Sequence, residues 1–207
     1  MKNILAVDGE LYLLRGFYQQ EMANQLFSGL LQSLAWQQEQ VFLYGRWVKV
    51  PRLMCWYGDK QAEYQYSGVN HQPLPWIEPL VSIKEKIQAY YPCVFNSVMA
   101  NLYRDGSDSM GCHADDEKEL GRNPVIASLS LGEQRLLKFR HQESKEVLDV
   151  VLSHGDLLLM AGEIQHHWRH ELPKTKKIKT QRINLTYRQV NENVCRGVAC
   201  SASTQPS

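Results

Sequence analysis

Size, composition and charge narrow the classes of protein to which this chain can belong. Its 207 residues are enough for one domain with a real core, and 23 basic against 22 acidic side chains give a formal net charge of +1. This balance neither indicates nor excludes nucleic acid, because a local basic face can lie within a nearly neutral total. No apolar run approaches the roughly 20 residues of a membrane span, and the start of the chain lacks the apolar stretch of a signal peptide. Five scattered cysteines without a Cys-x-x-Cys pair are typical of free thiols in a reducing compartment. We therefore expect a soluble intracellular protein, cytoplasmic in a bacterium or nuclear in a eukaryote. We also expect it to be a monomer.

Two segments have the period of amphipathic helices. Within residues 19–36, every fourth residue from Met22 to Leu34 is apolar, as on one face of a helix. Residues 76–91 carry a second apolar stripe that ends just before a proline. We predict two helices that pack with these faces against a larger element.

Between the two helices the pattern changes to that of short strands. Residues 41–50 are rich in aromatic and β-branched side chains on either side of Gly45, which predicts a hairpin. Residues 51–58 and 64–68 have the composition of further strands. Two tyrosines in the last of these share a face, and the pattern leaves two interpretations open: half-buried packing, or a stacking surface for a planar substrate.

The rest of the chain is mostly strand. Turn residues separate six strand-like segments: 94–103, 124–131, 135–141, 146–152, 156–161 and 181–190. Six strands at such short spacing predict a sandwich or jelly roll, with the two helices against its outside. Residues 191–207 have little to bury, and we expect them to be disordered.

A short segment near the middle of the chain carries half of a metal site. In an extended chain, side chains two positions apart point the same way, so His113 and Asp115 would face one point in space. With a second histidine they would form a 2-His-1-carboxylate triad, which leaves positions of a ferrous ion open for oxygen and a co-substrate. The His-x-Asp pair alone is weak evidence, because about one chance match is expected in a chain of this size.

Three histidines in a later cluster are candidates for the third metal ligand. His166, His167 and His170 follow the predicted strand 156–161 within a few residues. Most histidines in such clusters lie on the surface or in packing contacts, so at most one of the three is expected to bind metal. Sequence spacing leaves the choice among them open.

An arginine-containing strand supplies a second kind of site. From Arg182 to Arg188, polar residues alternate with apolar ones, so both guanidinium groups would lie on one face of the strand. An inward-facing arginine needs a carboxylate to grip, and a dicarboxylate beside a metal would pair with both. Asn101 and Tyr103, also two positions apart, could add hydrogen bonds to the same ligand.

These motifs together resemble a known family. Three of them are similar to the signature of AlkB-type Fe(II) and 2-oxoglutarate-dependent dioxygenases: His113-x-Asp115, His170-Glu-Leu-Pro and Arg182-x-Asn184-Leu-Thr-x-Arg188. The resemblance runs from about residue 41 to residue 190. The Tyr-x-Tyr-Ser-Gly segment at 64–68 and His-x-Asp-Asp-Glu at 113–117 resemble the branch that repairs duplex DNA, whereas Trp-Tyr-Gly-Asp at 56–59 matches it only loosely.

The resemblance implies a fold, a domain organisation and a set of cofactors. The implied fold is mainly β with flanking helices (α+β). It has a double-stranded β-helix (jelly roll) core at about 94–190, N-terminal helices, and a nucleotide-recognition hairpin lid at about 40–70. Residues 1–190 would form a single domain. The implied cofactors are Fe(II), 2-oxoglutarate as co-substrate, and O2.

The resemblance also assigns roles to residues of the site. His113, Asp115 and His170 would hold the iron, which selects His170 from the cluster of three. The resemblance also places Arg182 on the distal carboxylate of 2-oxoglutarate, with Asn184 and Tyr103 assisting. Arg188 and Asn101 would lie near the rest of this co-substrate.

For the substrate, the resemblance implies oxidative dealkylation of N-alkylated DNA bases such as 1-methyladenine and 3-methylcytosine, with release of formaldehyde. Tyr66 and His113 would sandwich the base, and Tyr64 and Glu117 would touch its edge. Asp116 would support the loop that carries the metal ligands. Alkylated duplex DNA is therefore the expected partner. The alternatives are single-stranded DNA, methylated RNA, a protein side chain, or a binding module without catalysis.

A base inside a duplex must be flipped out before its pairing edge can be reached. The resemblance places a wedge that fills the resulting gap at Leu43, Tyr44 and Gly45, the tip of the early hairpin. An ordinary exposed aromatic is the alternative for Tyr44. Candidates for phosphate contacts are Arg46, Lys49, Arg52, Arg104, Arg169 and the lysines of residues 174–179.

Overall fold

The structure is a computed structural model that describes residues 1–43, 45–62, 64–66 and 69–191. For residues 43, 64–66 and 69–71 it describes the backbone only. The expectation of disorder for the C-terminal tail therefore falls, apart from residue 191, outside the described residues.

Fourteen strands and three helices form the described part of the chain. In chain order they are β1 Glu10–Leu14, α1 Gln20–Ser33, β2 Gln40–Leu43, β3 Arg46–Lys49, β4 Leu53–Gly58, β5 Tyr64–Tyr66, β6 Val69–His71, α2 Glu78–Tyr90, β7 Ser97–Tyr103, β8 Met110–His113, β9 Ile126–Gly132, β10 Arg135–His141, β11 Val147–Leu152, β12 Leu157–Ala161, α3 Ile164–His167, β13 Trp168–Leu172 and β14 Arg182–Arg188. In this part of the chain, no helix combines the length and apolar character needed to cross a membrane.

Two antiparallel sheets form the body of the protein. The larger has the order β1-β12-β9-β14-β7-β4 and the smaller the order β11-β10-β13-β8. One apolar core, which includes Phe139, Met160 and Trp168, draws side chains from both sheets. A second core joins the outer face of the larger sheet to both long helices through residues such as Leu30 and Ile83. The predicted α+β jelly roll with helices against its outside is confirmed.

Strand β14 lies at the centre of the larger sheet and faces two environments. It pairs along its whole length with β7 and over most of its length with β9. Ile183, Leu185 and Tyr187 are fully buried in the core on the helix side. Because side chains alternate along a strand, the arginines at its two ends face the space between the sheets. The alternation predicted from the sequence therefore positions the site.

Two small hairpins lie apart from the sheets. β2 pairs with β3, and β5 pairs with β6. Gly45 in the first turn has a φ of +78°, a conformation that glycine adopts without strain. The hairpin predicted for residues 41–50 is thus confirmed, whereas the side chains of Leu43, Tyr64 and Tyr66 and all of Tyr44 lie outside the description.

Three details differ from the sequence expectations. Met22 is 48% exposed and Ala23 is fully buried, whereas Leu30 and Leu34 are buried as predicted, so the apolar face of α1 differs only in its first turn. Strand β1, an edge strand on β12, has only five residues and is not among the predicted strands. Strand β13, with the sequence Trp-Arg-His-Glu-Leu, forms because β10 and β8 both offer it a hydrogen-bonding edge.

Candidate metal and co-substrate site

Three potential metal ligands converge between the sheets. His113 ends β8, Asp115 follows two residues later, and His170 lies opposite His113 on the adjacent strand β13. One ligand atom from each lies within 4.8 Å of the others. His170 Nε2 is 3.7 Å from Asp115 Oδ2, and the two imidazole centroids are 4.3 Å apart. This is the size of cluster that a single divalent ion can bind.

The other two histidines of the cluster have different partners. His166 Nε2 lies 2.9 Å from the side-chain oxygen of Asn123, and the His167 ring stacks on His141. Both stand on α3, whereas His170 lies on a strand that faces the space between the sheets. The structure therefore brings His170 to His113 and Asp115, and not His166 or His167.

His141 and His167 belong with Asp8 to a second group of potential ligand atoms. The backbone N–H groups of residues 143 and 144 donate to His141 Nδ1. A neutral imidazole with an accepting Nδ1 carries its proton on Nε2, which lies 3.0 Å from Asp8 Oδ2. The pair is therefore an ordinary hydrogen bond that ties the N-terminal segment to β10.

Hydrogen bonds prepare the three converging residues to bind a cation. His113 Nδ1 lies 2.8 Å from the carbonyl oxygen of Gly111, so the proton sits on Nδ1 and the lone pair of Nε2 is available. Asp115 Oδ1 accepts from Arg188 Nη2 at 2.6 Å. Asp115 Oδ2 is buried and has no hydrogen-bond partner among the described residues. A buried carboxylate oxygen that faces two imidazoles without a donor is a site that a metal ion would satisfy.

The protonation states also favour a cation. Burial by itself would raise the pKa of Asp115, but the adjacent Arg188 guanidinium and the two histidines hold that pKa at about 2. Burial lowers the pKa of His170 to about 3, so its imidazole is neutral. An ionised carboxylate and neutral imidazoles are the ligand forms of these groups.

Arg182 is a buried cation that lacks an acidic partner. It is 2% exposed, and none of the described carboxylates forms an ion pair with it. Its Nη2 donates to Ser130 Oγ at 2.9 Å, but its Nε is buried and unpaired. Burial lowers the pKa of Arg182 only to about 10, so the charge is kept at neutral pH. A buried guanidinium without an acidic partner is stabilised by an anion in the adjoining cavity. A carboxylate matches it, because two carboxylate oxygens can accept from two N–H groups of the planar guanidinium.

The remaining predicted co-substrate residues surround the same cavity. Asn184 Nδ2 donates to Ser128 Oγ at 2.8 Å, and the Tyr103 ring lies under the Arg182 guanidinium at 5.3 Å. The polar residues that line the cavity are Arg52, Asn101, Tyr103, His113, Asp115, Glu117, Ser128, His170, Arg182, Asn184, Thr186 and Arg188.

One of the expected phosphate contacts, Arg52, is wrong, and another, Arg104, is exposed but bonded to a neighbouring carboxylate. Arg52 is only 3% exposed and lines the cavity, where its Nε donates to Asn101 Oδ1 at 2.7 Å. Arg104 forms two hydrogen bonds with the Asp108 carboxylate, at 2.7 and 2.8 Å. A local strand pattern cannot show that a basic side chain turns inward or pairs with a loop carboxylate.

The support of the metal-ligand loop also differs from expectation. Asp116 is exposed, and the side chain that contacts the loop from inside is Gln165. This glutamine is 2% exposed on α3, and its Oε1 accepts from the backbone N–H of Asp115 at 2.9 Å. No motif in the sequence signals this role, because the two residues are 50 positions apart.

The predicted base contacts are described only in part. Glu117 lines the cavity, and its Oε2 is buried without a hydrogen-bond partner among the described residues. For Tyr64 and Tyr66 the structure gives the backbone of a short strand and no side chain. Of the predicted wedge, Gly45 occupies the hairpin turn and Tyr44 lies outside the described residues.

Comparison with known proteins identifies the family. The model of the 2OG-Fe(II) oxygenase superfamily matches residues 10–188. The DNA oxidative demethylase ALKBH2 of Homo sapiens is 37% identical over 182 residues, which cover 84% of this chain and 67% of that protein. The alpha-ketoglutarate-dependent dioxygenase alkB homolog 3 of Bos taurus is 36% identical over 185 residues, which cover 84% of this chain and 64% of that protein.

A solved structure supports the fold independently. The structure of OsALKBH1 matches with a TM-score of 0.59 at 18% identity, over 86% of this chain and 97% of that one. At this identity the match supports the fold, whereas the group follows from the family model and the relatives. The chain belongs to the AlkB-like group of the 2OG-Fe(II) oxygenase superfamily. It is a dioxygenase whose family uses Fe(II), 2-oxoglutarate and O2.

The different partners of the two arginines predict different defects for matched substitutions. Arg182→Lys should weaken 2-oxoglutarate binding at least tenfold, because an ammonium group cannot replace a planar pair of donors. Arg188→Lys should instead weaken Mn(II) binding about tenfold, because Arg188 holds the Asp115 carboxylate. Titrations with Mn(II) alone and then with 2-oxoglutarate separate the two effects. Equal defects of both variants in both titrations would contradict this assignment.

Gln165 predicts a defect in metal binding that comes from outside the ligands. Gln165→Met keeps the size of the side chain but removes the acceptor for the Asp115 N–H, so we expect about tenfold weaker Mn(II) binding. Gln142→Met is the matched control, because Gln142 is exposed and bonds to the backbone of the same helix without reaching the ligand loop. Unchanged Mn(II) affinity in a folded Gln165→Met protein would show that the contact does not position Asp115.

Proposed function

We propose that this protein is a DNA oxidative demethylase that removes alkyl groups from base nitrogens, as in 1-methyladenine and 3-methylcytosine. The proposal rests on one observation, namely that three groups line one cavity: a potential metal triad, the buried Arg182 guanidinium without an acidic partner, and a Glu117 oxygen without a hydrogen-bond partner among the described residues. The relatives named as DNA oxidative demethylases support DNA as the substrate.

The proposed roles follow the contacts of each side chain. His113, Asp115 and His170 hold Fe(II), and Arg182 holds the distal carboxylate of 2-oxoglutarate with Asn184 and Tyr103 beside it. The proposed role of Arg188 is to fix the carboxylate of Asp115 and so leave Oδ2 for the metal, as its 2.6 Å hydrogen bond to Oδ1 supports. The proposed role of Asn101 is to hold Arg52 in the cavity wall, because its side-chain oxygen accepts a hydrogen bond from Arg52.

When bound, Fe(II), 2-oxoglutarate and O2 would supply the oxidant that hydroxylates an N-methyl carbon, with one oxygen atom going to that carbon and the other to succinate as 2-oxoglutarate loses CO2. The hydroxymethyl group would then leave the base nitrogen as formaldehyde. The chain's own residues bind, orient and desolvate the reactants. Met54, Met99 and Leu137 form an apolar wall of the cavity, which limits the access of water. Strands β8 and β13 carry His113 and His170, and β14 carries Arg182 and Arg188.

Glu117 gives the pocket a means to select its base. Adenine methylated at N1 and cytosine methylated at N3 are cationic and still carry exocyclic N–H donors. A buried carboxylate oxygen without a partner accepts from such a donor and attracts the positive charge. We propose that Tyr64 touches the same edge and that Tyr66 and His113 sandwich the ring, which positions the alkyl group toward the metal.

Basic residues at the surface are the proposed contacts to DNA phosphates. Arg46, Lys49 and Arg169 are exposed, as are three lysines of the 174–179 loop. Lys179, the fourth lysine of that loop, is paired with Glu133. Duplex DNA is the proposed form of the substrate, with Leu43, Tyr44 and Gly45 as the wedge that replaces the flipped base.

Turnover on methylated duplexes tests the proposal. Purified protein with Fe(II) and 2-oxoglutarate should release formaldehyde from a duplex that contains 1-methyladenine or 3-methylcytosine. His113→Ala and Asp115→Ala should each reduce the rate at least 100-fold, because each removes a metal ligand. Cys112→Ser is the control, because Cys112 is exposed next to the site. This variant should release formaldehyde at the rate of the unaltered protein. Formaldehyde release that survives the ligand substitutions would refute the proposal.

The wedge predicts a dependence on the form of the substrate. Tyr44→Ala should lower the rate on a methylated duplex about tenfold or more, because the gap in the base stack is then unfilled. The rate on the same methylated strand without its complement should change less than twofold. Parallel kinetics on the two substrates measure this ratio, and an equal loss on both would reject the wedge.

A further inference from the structure

Arg135 is a second buried cation close to the co-substrate end of the cavity. It is the first residue of β10 and is only 3% exposed. Leu137 and Phe139, which share its face of the strand, belong to the core between the sheets. The Arg135 side chain therefore points inward, and it lies behind residues that line the cavity rather than in the lining itself.

Backbone carbonyl groups hold the Arg135 guanidinium in place. Its Nη1 donates to the carbonyl oxygen of Asp105 at 3.0 Å, and its Nη2 donates to the carbonyl oxygens of Asp108 and Pro173, each at 2.9 Å. Two of these acceptors lie in the turn between β7 and β8, and the third directly follows β13. The guanidinium therefore joins β10 to the ends of β7 and β13, two strands that carry residues of the site.

The positive charge of Arg135 is not neutralised by an ion pair with any of the described carboxylates. Three carboxylates attract this charge, but each is bonded to another group: Asp105 to Ser107, Asp108 to Arg104 and Glu133 to Lys179. Burial lowers the pKa of Arg135, as expected for a cation surrounded by protein. Carbonyl oxygens are neutral acceptors, so they satisfy the N–H donors without cancelling the charge.

Tyr103 connects this charge to the co-substrate site. The guanidinium carbon of Arg135 lies 5.8 Å from the centroid of the Tyr103 ring, and that of Arg182 lies 5.3 Å from the same centroid. Tyr103 and Arg182 are directly opposite each other on β7 and β14, whereas Arg135 comes from the smaller sheet. Because the face of an aromatic ring attracts cations, one tyrosine ring holds two buried guanidinium groups at one end of the cavity.

Two positive charges at one end of a cavity favour a ligand that is anionic at that end. Arg182 can grip a carboxylate directly, because one of its nitrogens is buried and unpaired. Both terminal nitrogens of Arg135 are bonded to carbonyl groups, so this residue acts through its charge and through Tyr103. The protein interior screens charges less than water does, so the attraction extends over several ångströms.

We propose that Arg135 is a positioning residue that acts through Tyr103 and selects a 2-oxo acid with a distal carboxylate. Its charge adds to that of Arg182 at the far end of the co-substrate, and its carbonyl contacts hold Tyr103 beside Arg182. This role rests on the part of the proposed function that places 2-oxoglutarate at Arg182. It does not depend on which alkylated molecule is the substrate.

Binding of two 2-oxo acids to the Mn(II)-loaded protein tests the role of Arg135 without turnover. 2-Oxoglutarate carries the distal carboxylate, and 2-oxopentanoate has a methyl group in its place. Arg135→Gln removes the charge but keeps N–H donors for the carbonyl oxygens. It should weaken 2-oxoglutarate binding about fivefold and 2-oxopentanoate binding less than about twofold. Arg135→Lys keeps the charge and should bind both acids within about twofold of the unaltered protein.

Arg140→Gln is the matched control for the loss of one positive charge. Arg140 is exposed at the other end of the same strand, where it pairs with Glu171. This variant should bind both acids as the unaltered protein does. Equal losses for the two acids in Arg135→Gln, or no loss for either, would overturn the proposal. If Arg135→Gln does not fold, Arg135→Met takes its place, and if neither neutral variant folds, Arg135 is a structural residue and the proposal fails.

Formaldehyde release separates this proposal from the proposed function. If the unaltered protein binds 2-oxoglutarate but demethylates no base, the proposed function fails, whereas the comparison of the two acids still decides on Arg135. If the protein demethylates a methylated duplex, Arg135→Gln should raise the KM for 2-oxoglutarate about fivefold and leave kcat within about twofold, as expected when only binding is weakened. A lower kcat with an unchanged KM would contradict a role in co-substrate selection.

Discussion

The buried ion pair between Arg188 and Asp115 is the interaction on which the site depends. One carboxylate oxygen accepts from the guanidinium at 2.6 Å, and the other faces His170 without a hydrogen-bond donor. A carboxylate buried alone would be protonated or would destabilise the fold. The arginine keeps it ionised and fixes which oxygen is left for a metal. The ligand set is thus prepared by a residue that belongs to a different sheet from both histidines.

Strand β14 connects this ion pair to the co-substrate end of the cavity. Its alternating side chains bury Ile183, Leu185 and Tyr187 against the helices and turn both arginines toward the cavity. The neighbouring strands then decide how each arginine is used. Arg188 meets the ligand loop, whereas Arg182 meets a serine hydroxyl and a tyrosine ring and keeps an unpaired donor. Two identical side chains on one face therefore acquire different chemistry, one structural and one open to a ligand.

The sheet arrangement also explains why the candidate site combines rigidity with an open side. The ligand residues lie on or next to paired strands, and the Asp115 loop is held by Gln165 from α3. Some of the proposed substrate contacts, at Leu43 to Gly45 and at Tyr64 and Tyr66, come from small hairpins outside the two sheets, whereas His113 and Glu117 belong to the ligand segment. This division is consistent with a cavity that positions a small group precisely while it admits a large partner.

Much of this architecture is encoded locally, and the rest depends on contacts between distant segments. Strand and helix periods, the hairpin at Gly45, the His113-x-Asp115 pair and the alternation along β14 follow from backbone geometry and neighbouring residues, so the sequence by itself determined them. Sequence spacing left the choice among His166, His167 and His170 open, and only the resemblance to the family pointed to His170, which strand pairing then brings to the site. The tertiary structure alone decided that Arg52 turns inward and that Gln165 holds the ligand loop. The physical reason is that strand pairing and burial join residues tens of positions apart, and no local pattern records which partner a polar side chain will find.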